Sequence, residues 1–241
     1  VKKVIVEDLK TIAYQEAWDL QEDLLKTGVE IKIKSSRDKN FDKEIKNHLF
    51  ICSHPHVYTL GKHGKINHLL LNEESLKAKG IEFHKTNRGG DITYHGPGQM
   101  VVYPVLDLEQ FFTDLRKYMR FLEEAVILTL AEYEIKGERL PKSTGVWLDA
   151  EDPFKARKIC ALGVRCSRWI TIHGLALNIN ADLSYFDNII PCGISNKGVT
   201  SMQKELDKKL DEKKVQQIFI EKFAELFNAE IVYKKEKLLA K

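Results

Sequence analysis

Cysteine is scarce in this sequence, and its spacing suggests no staple. Cys52, Cys160, Cys166 and Cys192 are scattered through 241 residues without a CxxC pair. That pattern fits neither a zinc ribbon nor a secreted disulfide scaffold. Proline and glycine are also modest, at 6 and 14 residues, too few for a fibrous or disordered chain. No apolar run approaches the roughly 20 residues of a membrane span, and the opening VKKVIVEDLK holds no apolar signal segment. A dominant sign of charge is missing too: 38 Lys+Arg stand against 35 Asp+Glu. Such a balance argues against a dedicated nucleic-acid binder, although local basic patches can still receive an acidic partner. Neither nucleotide fingerprint, GxGxxG or GxxxxGK[ST], occurs, nor does HExxH. The expectation is a cytoplasmic chain with free thiols and no nucleic-acid or membrane partner.

What is present is an ordinary globular profile, 43% hydrophobic and 30% charged. A chain of this length buries roughly 70% of its unfolded surface and needs no covalent reinforcement. Lys3 to Glu7 predicts a short strand, and Thr11 to Lys26 a helix with Ile12, Ala13, Trp18, Leu20, Leu24 and Leu25 on its apolar side. Ser35 to Lys46 is polar and reads as a mobile loop. Strands are expected at His48–Cys52, Ile81–Lys85 and Met100–Leu108, with VYTLG (Val57–Gly61) leaving the first of them through a turn and a short helix at Glu73–Lys79. The clearest helix is Asp114–Tyr133. Further strands follow at Gly145, at Lys158 and from Trp169, where bulky and polar residues alternate. A turn-rich FDNIIPCGI comes next, then a helix over Asp211–Phe227 and a last strand, AEIVYK. No linker divides the chain. The reading is one α/β (α+β) mixed-sheet domain over residues 1–241, with its core at about 14–202.

Three places carry candidate chemistry. Cys192 sits in Pro191-Cys192-Gly193, where proline fixes one side of the thiol and glycine opens the other. It is either a nucleophile or a small buried hydrophobe; a free thiol, at about 8.5, needs a neighbouring cation to become thiolate at neutral pH. Lys158 opens an otherwise apolar strand, either pointing into a site or ending the basic turn of Lys155 and Arg157. Cys160 and Cys166 on that strand read as packing residues. The third place is RGGDITYHGPGQ from Arg88, where five residues are Gly or Pro. Its backbone could form a nest for a phosphate or carboxylate beside Arg88, or let an apolar tail lie flat; a tight hairpin is the plain alternative. His54, Pro55 and His56, with His63 and His68 beyond, tempt a metal reading, but alternating residues broken by proline need not converge on one ion. His95 and His173, each followed by glycine, are better site candidates, although a hydrogen-bonded structural role is the plainer reading of either.

Taken together, RGGDITYHGPGQMVVYPVLDL and KICALGVRCSRWITIHGLALNINADLSYFDNIIPCGI closely resemble the signatures of the lipoyl(octanoyl) transferase family. HPHVYTLGKHG and GVTSM fit as well, and the likeness runs from about Tyr14 to Met202. The resemblance implies the fold of the biotin and lipoate protein ligases, with a glycine-rich loop lining an acyl pocket. It implies that Cys192 carries an octanoyl thioester and that Lys158 is its partner. Arg88, Gly89, Gly90, Asp91, Ile92, Thr93, Tyr94 and His95 would line the substrate site. Ala161, Leu162 and Gly163 would join them, with Gly174, Leu175 and Ala176 opposite. It implies no cofactor and no metal. Octanoyl-acyl carrier protein would be the donor, and lipoyl domains of 2-oxoacid dehydrogenases and the H protein of glycine cleavage the acceptors. Ser53 departs from the pattern where many members carry an acidic residue, and Cys160 where alanine is usual. Three other readings compete: an ATP-dependent lipoate or biotin ligase on the same fold, a non-catalytic binder of acylated domains, and a thiol hydrolase.

Overall fold

The computed structural model describes residues 1–38, 40–190 and 197–234. Its first strand, β1 (Lys2–Thr11), pairs in parallel with β2 (Asn47–Ser53) on one side. On its other side it pairs in parallel with the last strand, β12 (Ala229–Tyr233). The C-terminal part therefore completes the same sheet as the N-terminus. Between β1 and β2 lies α1 (Tyr14–Arg37), whose buried Tyr14, Ala17, Gln21, Leu25, Gly28 and Ile31 recur at three- and four-residue steps. This helix starts later and runs further than its predicted Thr11–Lys26. β1 holds the chain as far as Thr11, and Gly28 does not end the helix. A Cβ at Gly28 would stand 2.6 Å from Ile170 Cδ1, so the missing side chain lets the helix lie close on the sheet. The expected loop at Ser35–Lys46 accordingly begins only at Asp38.

The other strands of this sheet are β6 (Gln99–Val105), β7 (Glu138–Leu140), β8 (Ser143–Leu148), β9 (Arg157–Ser167), β10 (Ile170–Asn178) and the two-residue β11 (Gly198–Val199). Among the described residues the order is β12-β1-β2-β6-β10-β9-β8-β7, with β11 joined in parallel to β9. Alternate side chains enter opposite cores, as strand geometry dictates. Leu49, Ile51, Met100, Val102, Leu175 and Leu177 face one core; Phe50, Cys52, Val101, Tyr103 and Ala176 face the other. β10 is buried along its whole length, since both faces are covered, and the polar alternation expected from Trp169 does not mark a wet face.

α1 covers the second core. The first is covered by α3 (Leu115–Ala131) and α5 (Glu212–Phe227), which pack on each other. Both start where the sequence places them, because Asp114 and Asp211 cap them by accepting from the Lys117 and Lys213 N–H groups. The short α4 (Met202–Leu206) precedes α5. A second sheet, β4-β3-β5, is built from β3 (Val57–Leu60), β4 (Glu82–Lys85) and β5 (Ile92–His95), with α2 (Glu73–Ala78) beside it. β5 lies inside the glycine-rich segment, which the sequence left open between a ligand-holding loop and a tight hairpin. No helix among the described residues is long and apolar enough to cross a membrane.

Candidate active site

A cavity of about 530 Å³ opens between the glycine-rich segment and strands β8, β9 and β10. The two triplets named from the sequence form one wall, since Ala161, Leu162 and Gly163 on β9 stand directly across from Ala176, Leu175 and Gly174 on β10. Gly89 N–H donates to Val164 O at 2.9 Å and fastens the glycine-rich segment over that wall. Lys62 and His63 N–H groups donate to Arg88 O and Gly90 O and hold it from the other side. The approach is close: a Cβ on Gly163 would come within 2.7 Å of Gly89 O, and Gly90 sits at φ +86°, where only glycine is unstrained.

Arg88 lines the cavity, but its guanidinium is spent largely on the protein. Nη2 donates to Thr59 O at 2.6 Å and to Thr59 Oγ1 at 2.9 Å, while Nη1 donates to Gly89 O at 3.0 Å. The planar fork ties the glycine-rich segment to β3, a bracing role in place of the anion-holding one suggested by its position in the sequence. Gly90, Asp91, Ile92, Thr93 and His95 line the cavity as expected. Tyr94 corrects the expectation. Fully buried, it stacks on Tyr185 and accepts or donates at 2.7 Å with His56 Nδ1, on the side of β5 away from the cavity. Strand alternation puts it there, between Thr93 and His95.

A polar strip crosses the cavity, and two of its members went unnamed in the sequence. Gln99 Nε2 donates to Asn178 Oδ1 at 2.9 Å and to Tyr94 O at 3.2 Å. Its Oε1 therefore accepts from His95 Nδ1–H at 3.2 Å, which leaves the Nε2 of His95 as the lone-pair nitrogen. Asn178 Nδ2 donates to Thr200 O, and Thr200 N–H donates to Lys158 O. Burial first, then the nearby His54 and Arg88, hold His95 well below the usual imidazole range, so it is neutral. Gln99 and Asn178 are the polar ends of otherwise apolar strands, QMVVYPV and ITIHGLALN, and that contrast was the signal available.

His173 also lines the cavity. It donates from Nε2 to Asn87 Oδ1 at 2.7 Å, Asn87 donates to Glu22, and Glu22 is paired with Arg165. Burial, reinforced by the Arg88 charge, pushes His173 down to about 3. The other histidines diverge. His54 bonds Ile12 O and Tyr103 OH, His56 turns to Tyr94, and His68 meets Asp91 at 2.6 Å. Among the described residues no group of three or more His, Cys, Asp or Glu side chains is disposed to hold a metal.

Lys158, half-buried on β9, reaches the cavity and lies opposite Trp147 of β8. Its Nζ stands 4.7 Å from the centroid of the Trp147 ring. Val199 of β11 pairs with it on the other side. Cys160 is fully buried among the core side chains, a packing residue as expected. Cys192 lies outside the described residues.

Met119, Leu162, Val164 and Leu175 give the cavity an apolar lining beside the polar strip. Such a lining can receive a ligand with an apolar tail and a polar end. A sequence model described as the Lipoyl protein ligase A/B catalytic domain matches residues 13–224. The chain belongs to this family. A protein of Christiangramia forsetii named Octanoyltransferase is 57% identical over 233 residues, covering 96% of this chain and 99% of that protein. A second of the same name, from Flavobacterium johnsoniae, is 57% identical over 232 residues, with the same coverage of 96% and 99%. The bipartite lipoate protein ligase of Thermoplasma acidophilum superposes with a TM-score of 0.70 at 15% identity, covering 98% of this chain and 88% of that one. That likeness establishes the fold.

Proposed function

We propose that this chain is an acyltransferase that moves an octanoyl group from octanoyl-acyl carrier protein to the target lysine of a lipoyl domain, through a thioester on Cys192. The observation that carries the reading is Lys158 at a cavity lined by both apolar and polar side chains, in a chain 57% identical to octanoyltransferases over nearly its full length. The cavity volume lies within the roughly 300–1,000 Å³ of small-molecule sites.

In this mechanism Lys158 first takes the Cys192 thiol proton, and the thiolate attacks the thioester carbonyl of the donor. The carrier thiolate leaves with the proton of the Lys158 ammonium, which returns Lys158 to the neutral amine. Exchange of one thioester for another is nearly isoenergetic. The octanoyl tail rests against Met119, Leu162, Val164 and Leu175. A lipoyl domain, or the H protein of glycine cleavage, then presents its lysine amine, which attacks the Cys192 thioester. Lys158 takes a proton from that amine, and the thiolate leaves. The amide product makes the transfer downhill, with no nucleotide consumed. Support for pairing these two residues comes from either side of Cys192, because Phe186 and Val199 both line the cavity and Val199 is paired to Lys158. A thiol that must stay reduced suits a cytoplasmic setting.

An acidic donor carrier would call for a basic approach to the cavity. Arg120 and Arg165 are engaged by Glu123 and Glu22. Lys62 and Lys65, exposed beside the cavity-lining His63, are better placed to meet a carrier.

The test is to incubate the protein with octanoyl-acyl carrier protein, without nucleotide or acceptor, and weigh it intact. An octanoyl adduct is expected, absent in Cys192→Ser and passed to an added lipoyl domain. No adduct, with the lipoyl domain modified only when octanoate and ATP are supplied, would replace this reading with a ligase.

A further inference from the structure

Trp147 is an odd choice of residue for its position if packing alone is considered. Its side chain is 3% exposed, and among the described residues the buried indole Nε1–H has no hydrogen-bond partner. An orphaned donor of this kind costs about 1–3 kcal/mol. Phenylalanine would fill most of the same space without that cost. Native structures rarely keep such a group without a compensating use.

The use is visible across the strand. Trp147 and Lys158 are direct partners in the β8–β9 ladder, at the point where its register shifts. Such irregularities re-aim side chains. The Lys158 ammonium stands over the indole ring at 4.7 Å, and Lys197 Nζ lies 5.9 Å from the same ring. Indole offers the strongest π face for a cation among the aromatic side chains. Gly145, two residues earlier on the same strand, clears the way. A Cβ there would stand 3.4 Å from Lys158 Cε and 2.6 Å from Cys160 O, and φ is +119°. Gly145 is itself fixed by donating to Glu123 Oε1 at 3.1 Å. A glycine slot thus receives the Lys158 stem and an indole face receives its head.

We infer that Trp147 is a positioning residue that aims the Lys158 ammonium into the cavity through a cation–π contact. It acts through Lys158 and rests on the catalytic reading of that residue given above. The ring need not be the ammonium's only contact; what it supplies is direction, within a site where small misplacements are costly in rate.

The experiment compares Trp147→Phe and Trp147→Leu with the parent in octanoyl transfer to a lipoyl domain, alongside thermal unfolding and Lys158→Ala. In Trp147→Phe, kcat should fall about fivefold, the difference between a strong and a weak π face. The KM for octanoyl-acyl carrier protein should stay within about twofold, and Tm should hold, because the orphaned N–H is gone. Trp147→Leu should lose more than Trp147→Phe. As a second measurement that leaves shape intact, fluorinated tryptophans replace all three tryptophans biosynthetically. Turnover should drop stepwise with fluorine number in the parent and stay flat in the Trp147→Phe background. Parent-like kcat in Trp147→Phe, insensitivity of the parent to fluorination, or a kcat loss that merely tracks Tm would each overturn the inference. If Lys158→Ala itself retains parent-like turnover, the catalytic reading falls and takes this inference with it. If Lys158→Ala is inactive while Trp147→Phe is not impaired, only the inference falls.

Discussion

His68 and Asp91 face each other with Nδ1 and Oδ2 2.6 Å apart, and the backbone carbonyl of the same His68 accepts the Ile190 N–H at 2.8 Å. One residue therefore links the glycine-rich segment to the chain that leads toward Cys192. Leu70 N–H donates to Asn188 O, and Leu69 bridges Ile189, so the link is a strip of contacts rather than a point. Asp91 also accepts from its neighbour, with Ile92 N–H donating to Oδ1 at 2.7 Å.

This linkage predicts graded effects at Asp91. Asp91→Ala leaves both donors unmet in a mostly buried place and should cost about 1–3 kcal/mol in urea unfolding. Asp91→Asn keeps an oxygen acceptor and should cost less. Turnover should fall in the same order, since the site's two sides lose their common brace. Parent-like stability in both variants would show that the pair does no work in the fold.

The main elements were legible where local chemistry and tertiary structure agree. Asp114 and Asp211 are cap residues before periodic apolar runs, and both helices begin there. The glycine-rich segment, the two triplets and Lys158 were legible through resemblance, and the structure brings them to one cavity. Tyr94 was misplaced because a motif names residues without saying which face of a strand each occupies. The α1 boundary was missed because Gly28 answers to Ile170, 142 positions of chain away from any local signal, through a close approach that only folding creates. Trp147 was missed for a related reason: nothing in GVWL announces that its partner across the sheet is Lys158.

The buried histidines predict how stability varies with pH. In the unfolded chain a histidine titrates near 6.5, whereas folded His173 is pushed down to about 3. Between those values the unfolded state binds a proton that the folded state refuses. The contribution is therefore complete above about pH 6.5 and is lost as pH falls toward 3, with a slope of about 1.4 kcal/mol per pH unit for one such group. His95 acts in the same direction. The urea midpoint should fall between pH 7 and pH 5, and His173→Asn should fall less. Asparagine suits the site because His173 holds φ +60°, a region it tolerates, and its amide can still donate to Asn87. An unchanged pH slope in His173→Asn would assign the acid sensitivity elsewhere.

Glycines separate two kinds of cost, backbone strain and close approach. Gly80 has φ +63° but open space around it, so Gly80→Ala meets only backbone strain, about 1 kcal/mol. At Gly174 a Cβ would lie 2.0 Å from Val102 O, a contact with backbone that no rotamer relieves. Gly174→Ala must part β10 from β6 in the middle of the sheet and should leave little folded protein at 37 °C. Gly163→Ala sits between these extremes. Its Cβ would press on Gly89 O at 2.7 Å, and Gly89 belongs to a segment held by hydrogen bonds rather than by the sheet interior. The segment can give by a few tenths of an ångström, which widens the cavity wall while the sheet stays paired. Gly163→Ala should therefore fold, with a modest loss of Tm, yet raise the KM for the octanoyl donor about tenfold or lower turnover to match. Parent-like kinetics with a large drop in Tm would show that the contact between β9 and the glycine-rich segment serves the fold and not the site.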